Sequence, residues 1–249
     1  MALVNYDRMA PAYDAGRDLA PAAVDAWRVA VEPFVRAAGE LPILDVGSGT
    51  GQFAGLFARW FAHPVVGVEP SNGMRAQAEA APGSPFIRYH AGDAAHIPLG
   101  DGSAGLAWLS TVIHHIPDLP AAAREIRRVL PPGAPVLIRS AFPDRLDRIT
   151  LFRFFPEARE VAAAFPTVEA TVEAFTTAGF AFESLTAVTQ RTATTLEQVR
   201  ARVAHRADTT LRRIPDSAFE AGLARLDAAI ARGDPAPEAD YLDLLVLRG

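Results

Sequence analysis

The chain has 249 residues, half of them apolar, and a formal net charge of −5 from 24 basic and 29 acidic side chains. It contains no cysteine and no lysine, all 24 basic side chains being arginine, which excludes thiolate nucleophiles, disulfides, cysteine-held metals, Schiff-base lysines and the lysine of a phosphate-binding P-loop. No apolar run reaches the ~20 residues that span a bilayer, residues 1–5 lack the basic and apolar regions of a secretory leader, and no arginine cluster is interleaved with aromatics, so the expectation is a cytoplasmic protein acting on a small molecule, with no membrane and no nucleic acid as partner.

Residues 1–38 read as a cap segment followed by an amphipathic helix, since Val24, Trp27, Val31, Phe34 and Val35 recur at helical spacing over 21–38. From there β and α patterns alternate. Short apolar runs predict strands at 43–46, 65–68, 86–90, 106–109 and 136–139, and helices near 52–62, 73–80 and 119–130 separate most of them. Two further runs, 180–185 and 241–247, make seven strands. Short strands buried on both sides imply a mostly parallel, doubly wound α/β sheet.

Two stretches, 141–166 and 190–236, exceed ordinary connection lengths and are expected to wall a substrate pocket. The second carries two predicted helices, near 196–213 and 216–232, and the run Gly233 to Pro237 ends the latter. The first is rich in phenylalanine. Of Phe142, Phe152, Phe154, Phe155 and Phe165, one or two are expected at the pocket and the rest in the core. Without repeats or linkers, 1–249 reads as a single domain.

The most informative segment is Asp45-Val46-Gly47-Ser48-Gly49-Thr50-Gly51, an apolar strand ending in a carboxylate and then in glycines at alternate positions ahead of a helix. Glycines there permit positive φ and let a ligand come close to main-chain N–H groups. Glu69 at the end of the second strand and Asp93 after the third fall on the same carboxyl edge, where open α/β sheets bind ligands. At these places one carboxylate can take the hydroxyls of a ribose and the other the amine of an adenine. A dinucleotide loop wants G-x-G-x-x-G, whereas Gln52 stands where the third of those glycines belongs. Asp45 also repels a pyrophosphate and favours a cation.

These motifs resemble those of the class I S-adenosylmethionine-dependent methyltransferases, in particular the small-molecule group that includes the ubiquinone/menaquinone C-methyltransferases. The resemblance runs in order through Tyr6-Asp7 to Tyr13-Asp14, Asp45 to Gly51, Val68-Glu69-Pro70-Ser71-Asn72-Gly73-Met74, Gly92-Asp93-Ala94 and Leu109 to His115. It implies S-adenosylmethionine as cofactor, S-adenosylhomocysteine as product, and strand order 3-2-1-4-5-7-6 with the last strand antiparallel. It also implies that Gly47, Ser48 and Gly49 line the methionine end, with Asp45 and Gly51 in the same loop. Ser110 would meet the methionine amine, Glu69 the ribose beside Pro70, Met74 one adenine face, and Asp93 with Ala94 the adenine edge. Tyr6 and Tyr13 would fold over the methionine end.

Positioning does most of the work in such a transfer, and His114 or His115 is the expected general base or substrate orienter, because imidazole titrates near neutrality. A histidine pair with only a structural role is the competing reading, and no further ligands at recognisable spacing suggest a metal. Arg139 and Arg145, near the fifth strand's end, could meet a carboxylate or phosphate on a substrate. The leading function is methyl transfer to a small, largely apolar acceptor in secondary metabolism. Alternatives are an NAD-dependent oxidoreductase and a non-catalytic protein that keeps an adenosine site. Acceptor atom and homo-oligomeric state stay open.

Overall fold

The computed structural model describes residues 19–81, 84–190, 193–235 and 240–249. Along them run α1 (Pro21–Ala37), β1 (Ile43–Val46), α2 (Gln52–Phe61), β2 (Val65–Glu69), α3 (Asn72–Ala80), β3 (Ile87–Ala91), β4 (Leu106–Ser110), α4 (Leu119–Val129) and β5 (Pro135–Ser140). After β5 come α5 (Leu151–Phe154), α6 (Pro156–Ala162), α7 (Val168–Thr177), β6 (Ala181–Gln190), α8 (Leu196–Ala204), α9 (Thr209–Arg213), α10 (Asp216–Ala231) and β7 (Asp240–Arg248). None of the described helices is long and apolar enough to cross a membrane.

The strands form one sheet in the order β3-β2-β1-β4-β5-β7-β6, as the sequence resemblance implied. β1 to β5 pair in parallel, and β7 runs antiparallel to both β5 and β6. Every residue of β1 and β5 is buried, which is what strands covered on both faces require. On one face Ile126 and Val129 of α4 and Phe175 of α7 close over Leu44, Leu109 and Val136. On the other, Trp27 and Val31 of α1 and Phe53 and Phe57 of α2 gather around Trp108, whose ring centroid lies 4.9 Å from Phe53, 5.4 Å from Phe57 and 5.9 Å from Trp27.

The two insertions pack on each other. Phe154 and Phe155, with Ala158 of α6, join Val199, Leu211, Phe219 and Leu226 in a third apolar cluster beyond the sheet's carboxyl edge. Three departures from the sequence reading lie at or near these insertions. The phenylalanine-rich stretch contains helices that its irregular pattern hides. The helix expected over 196–213 is two, because the chain turns at Arg206 with φ of +48° and restarts where Asp208 accepts the Thr210 N–H at 2.8 Å. β6 continues to Gln190, five residues past its expected end, since an edge strand with exposed Thr186 and Thr189 lacks the apolar run that marks buried strands.

Gly222 marks the tightest contact in this cluster. A Cβ on it would overlap the buried ring of Phe155. Alanine is the better helix former by about 1 kcal/mol, whereas overpacking a closed core costs about 1–3 kcal/mol. The clash outweighs the propensity. Gly222→Ala is therefore expected to lower stability by about 1–2 kcal/mol in urea unfolding, and a gain in stability would show that the insertions yield at that contact.

Candidate functional site

The chain leaves β1 through three glycines in left-handed conformation, Gly47, Gly49 and Gly51, with φ of +69°, +56° and +81°. Two of them admit protein. A Cβ on Gly47 would overlap the Val112 side chain, and one on Gly51 the Tyr89 hydroxyl. Gly49 differs, having no atom of a described residue within 4 Å of where its Cβ would be. The loop's bare surface is there.

The N–H groups of the loop are turned inward. Gly47 and Ser48 both donate to the Val68 carbonyl (2.8 and 3.2 Å), Gly51 donates to the Ser48 carbonyl (2.9 Å), and Gly49 donates to Glu69 Oε2 (2.8 Å). The expectation of main-chain donors offered to a ligand is thereby corrected at these four residues. Tertiary partners at the end of β2 take the donors that a local reading of the loop leaves open.

Glu69 is clamped from two sides, since its Oε1 also accepts the Ser71 N–H at 2.9 Å. Asp45 sits beneath the loop with 2% of its surface exposed, and its Oδ2 accepts no hydrogen bond from any described residue. Burial pushes the Asp45 carboxyl up, the Glu69 charge adds to this, and a backbone hydrogen bond from Ala54 offsets part of it; the result is about 7. The Ser48 hydroxyl is likewise buried with no partner among the described residues. One Asp45 oxygen and the Ser48 hydroxyl thus line the loop's cavity without a hydrogen-bond partner among the described residues.

A cavity of about 260 Å³ opens beside this loop. Asp45, Gly47, Ser48, Gly49, Ser110 and His114 line it, so six of the expected site residues are brought together. The insertions supply the opposite wall, with Phe152 and Phe165 from the first and Val199, Val203 and Leu211 from the second. The other three phenylalanines are core. His114 stacks on Phe165 with ring centroids 4.3 Å apart and planes 15° apart, while His115 packs against His114 at 4.0 Å and does not line the cavity. The two histidines, inseparable by sequence, are separated by the short turn Ile113–His115.

Other expected residues lie elsewhere on the carboxyl edge. Gly51 is the N-cap of α2, Pro70 is exposed, Ala94 is half-buried, and exposed Asp93 accepts the Ala95 N–H (2.8 Å) with His96 Nδ1 at 3.1 Å. Met74 requires a correction. It is 1% exposed, and with Ala78 four residues on it forms the buried face of α3, so its side chain is core and offers no face to an adenine. Tyr6 and Tyr13 fall outside the described residues.

Of the two arginines singled out, Arg145 Nε donates to buried Asp243 at 2.7 Å, whereas Arg139 lines the cavity. Gln190, Thr150 and Thr111 also line it, and none was expected there. Thr111 has φ of +52°, a strained state for a β-branched residue, of the kind that collects at ligand sites. No local pattern marks a left-handed threonine or a glutamine brought in from the far edge of the sheet.

Residues 44–138 match a family model described as a methyltransferase domain. An uncharacterized methyltransferase of Mycobacterium sp. (strain JLS) is 36% identical over 117 residues, covering 47% of this chain and 44% of that protein. A ubiquinone/menaquinone biosynthesis C-methyltransferase of Caulobacter vibrioides is 32% identical over 139 residues, covering 51% and 55%. The chain thus spans about half the length of these curated relatives. A putative methyltransferase from an antibiotic biosynthesis pathway of Anabaena variabilis superposes with a TM-score of 0.76 over 90% of this chain and 96% of that one, at 19% identity, a likeness of fold.

The raised Asp45 carboxyl makes stability depend on pH with a definite sign. The folded protein keeps this proton up to about pH 7 and the unfolded chain releases it near 3.8. Between those values the folded state binds more protons, so stability falls as pH rises, by on the order of 4 kcal/mol across the window. Asp45→Asn is expected to match the wild type in urea unfolding at about pH 4 and to exceed it at about pH 8. A difference independent of pH would show that Asp45 titrates normally.

Proposed function

We propose that the chain, which carries a methyltransferase domain over residues 44–138, is a class I S-adenosylmethionine-dependent methyltransferase and transfers a methyl group from S-adenosylmethionine to a small, largely apolar acceptor. The observation that carries this reading is the pairing of a loop whose Gly47, Ser48, Gly49 and Gly51 N–H groups are spent internally with a buried Asp45 oxygen that accepts no hydrogen bond from the described residues. A pyrophosphate needs the first arrangement reversed and is repelled by the second. A cationic ligand suits both, which weighs against the oxidoreductase alternative.

Asp45, Ser48 and the bare Cα of Gly49 would hold the cofactor's methionine end together with Ser110, and the clamped Glu69 would take the ribose hydroxyls. Pro70, Asp93 and Ala94 would border the adenine. When bound, the cofactor supplies a methyl group already activated on a sulfonium. What is left to the protein is orientation and proton removal. His114 faces the cavity and is held by its stack on Phe165, which suits it to receive a proton from an acceptor or to orient one; His115 backs it. Phe152, Val199, Val203 and Leu211 make the acceptor wall largely apolar. A role in secondary metabolism draws support from the Anabaena neighbour's description.

Titration calorimetry separates the readings. S-adenosylhomocysteine is expected to bind and NADH not to, and Glu69→Ala to weaken the former at least about tenfold, or 1.4 kcal/mol. Binding of NADH alone, or of neither, would end the proposal. With an acceptor found by metabolite screening, His114→Gln is expected to lower kcat about 10²-fold while product affinity holds, and His115→Gln to stay near wild type. Equal turnover by His114→Gln and the wild type would remove the base.

A further inference from the structure

Resting on that methyltransferase reading, we propose that Phe152 is the specificity-determining residue for acceptor length, its ring closing the cavity against a second, outer one. The outer cavity has a volume of about 370 Å³ and is walled mostly by the first insertion, Leu146, Arg148, Arg153 and Arg159 among its lining. Ile149, Thr150, Phe152 and Tyr241 line both cavities. The partition between the two is therefore one layer of side chains thick, drawn from the residues before α5, from α5 itself and from β7.

Three members of the partition are held by the backbone or by polar contacts. Thr150 donates its main-chain N–H (2.8 Å) and its hydroxyl to Asp240 at the start of β7. Tyr241 pairs with Thr189 of β6 in the sheet register, and the Arg148 guanidinium carbon lies 5.6 Å from its ring centroid. Ile149 ends a turn, its N–H donating to the Leu146 carbonyl at 3.0 Å and its carbonyl accepting the Phe152 N–H at 3.1 Å. Phe152 brings the largest wholly apolar side chain of the four and is 9% exposed. Phe154 lies beneath Arg153, Phe155 against Phe219 and Phe165 against His114, whereas the Phe152 ring has no such partner among the described residues. Apolar packing alone holds it, so truncation removes the ring without orphaning a polar group.

Size makes this partition matter. The inner cavity measures about 260 Å³, and on the cofactor reading the methionine end takes part of it. Sites for small molecules usually span roughly 300–1,000 Å³. What is left for the acceptor ends at Phe152. A close-packed wall does not yield by a methylene without cost, and one methylene too many in an apolar pocket costs on the order of tenfold in binding or more. A chain that ends at the ring gains contact, and one that must pass it is refused. With the ring gone, the same chain continues into the outer cavity, whose walls include Leu146, Ile149 and the Tyr241 ring.

The experiment compares the wild type with Phe152→Ala, Phe152→Leu and Phe152→Trp. Each is titrated by calorimetry with S-adenosylhomocysteine and then, saturated with it, with the straight-chain primary alcohols from propanol to decanol. In the wild type, affinity is expected to rise about fourfold per methylene and then to stop rising at one chain length. In Phe152→Ala the rise is expected to pass that length by more than the roughly three methylenes that the vacated ring could hold, because the outer cavity receives the rest. Phe152→Leu is expected to stop between the two, and Phe152→Trp at a shorter chain than the wild type.

An unbroken rise in the wild type would overturn the proposal. So would a break at the same length in Phe152→Ala, a shift no larger than the ring's own space, or a loss equal at every chain length, which is what a merely structural role gives. Should Phe152→Ala not fold, Phe152→Leu and Phe152→Trp decide, since they must move the break in opposite directions, and a break that stays in place in both overturns the proposal. A wild type that binds no S-adenosylhomocysteine brings down the cofactor reading and this proposal with it, whereas one that binds it and takes up none of the alcohols overturns this proposal alone.

Discussion

The Glu69 carboxylate reaches from the end of β2 to the amide of Gly49, and the geometry of the site follows from that contact. Because Glu69 also takes the Ser71 amide, the first turn of α3, the end of β2 and the glycine loop are tied at one point. The contact takes the Gly49 N–H inward, beside the Gly47, Ser48 and Gly51 N–H groups that donate to main-chain carbonyls, and leaves the Gly49 Cα clear of the described residues. It also holds a negative charge beside Asp45, adding to the burial that raises the Asp45 carboxyl. A turn that in isolation is an anion nest thus has its donors taken up and two acidic side chains beside it.

The remainder of the site is assembled from parts of the chain that share no local signal. β4 ends in Ser110 and a left-handed Thr111, whose N–H donates to the Arg139 carbonyl at 2.7 Å. Past that strained residue, the short turn Ile113–His115 carries His114 onto Phe165. The buried chain of hydrogen bonds from Trp27 through Gln190 and Arg139 to Ser110 ties the first described helix to the last residue of β6 and on to β4. Networks of this kind are costly to leave half made, and a complete one holds its members in a single arrangement.

The strands buried on both faces were legible because burial on both sides writes an uninterrupted apolar run, and the glycine loop because only glycine takes three left-handed positions so close together at little cost. In edge strand β6 the apolar run stops short of the strand's end, since its exposed face breaks it. Met74 looked like a ligand contact by its place in a motif, yet its four-residue spacing from Ala78 already put it on the inner face of α3. Among five phenylalanines of the first insertion, sequence allowed one or two at the pocket without saying which, because the choice between Phe152 and Phe155 depends on a partner such as Gly222 some 70 residues away.

What the amino-acid sequence determined by itself was everything set by short-range periodicity and backbone freedom: the α/β alternation, the turn after β1, and the acids that end β1 and β2. Tertiary structure alone decided where the loop's N–H groups go, which of two adjacent histidines faces the cavity, and that Arg139 is caged by Trp27, Phe53 and Gln190. The reason is physical. Each of those outcomes depends on which distant group satisfies a buried donor, acceptor or charge, and such pairing is settled only when the sheet brings its strand ends together.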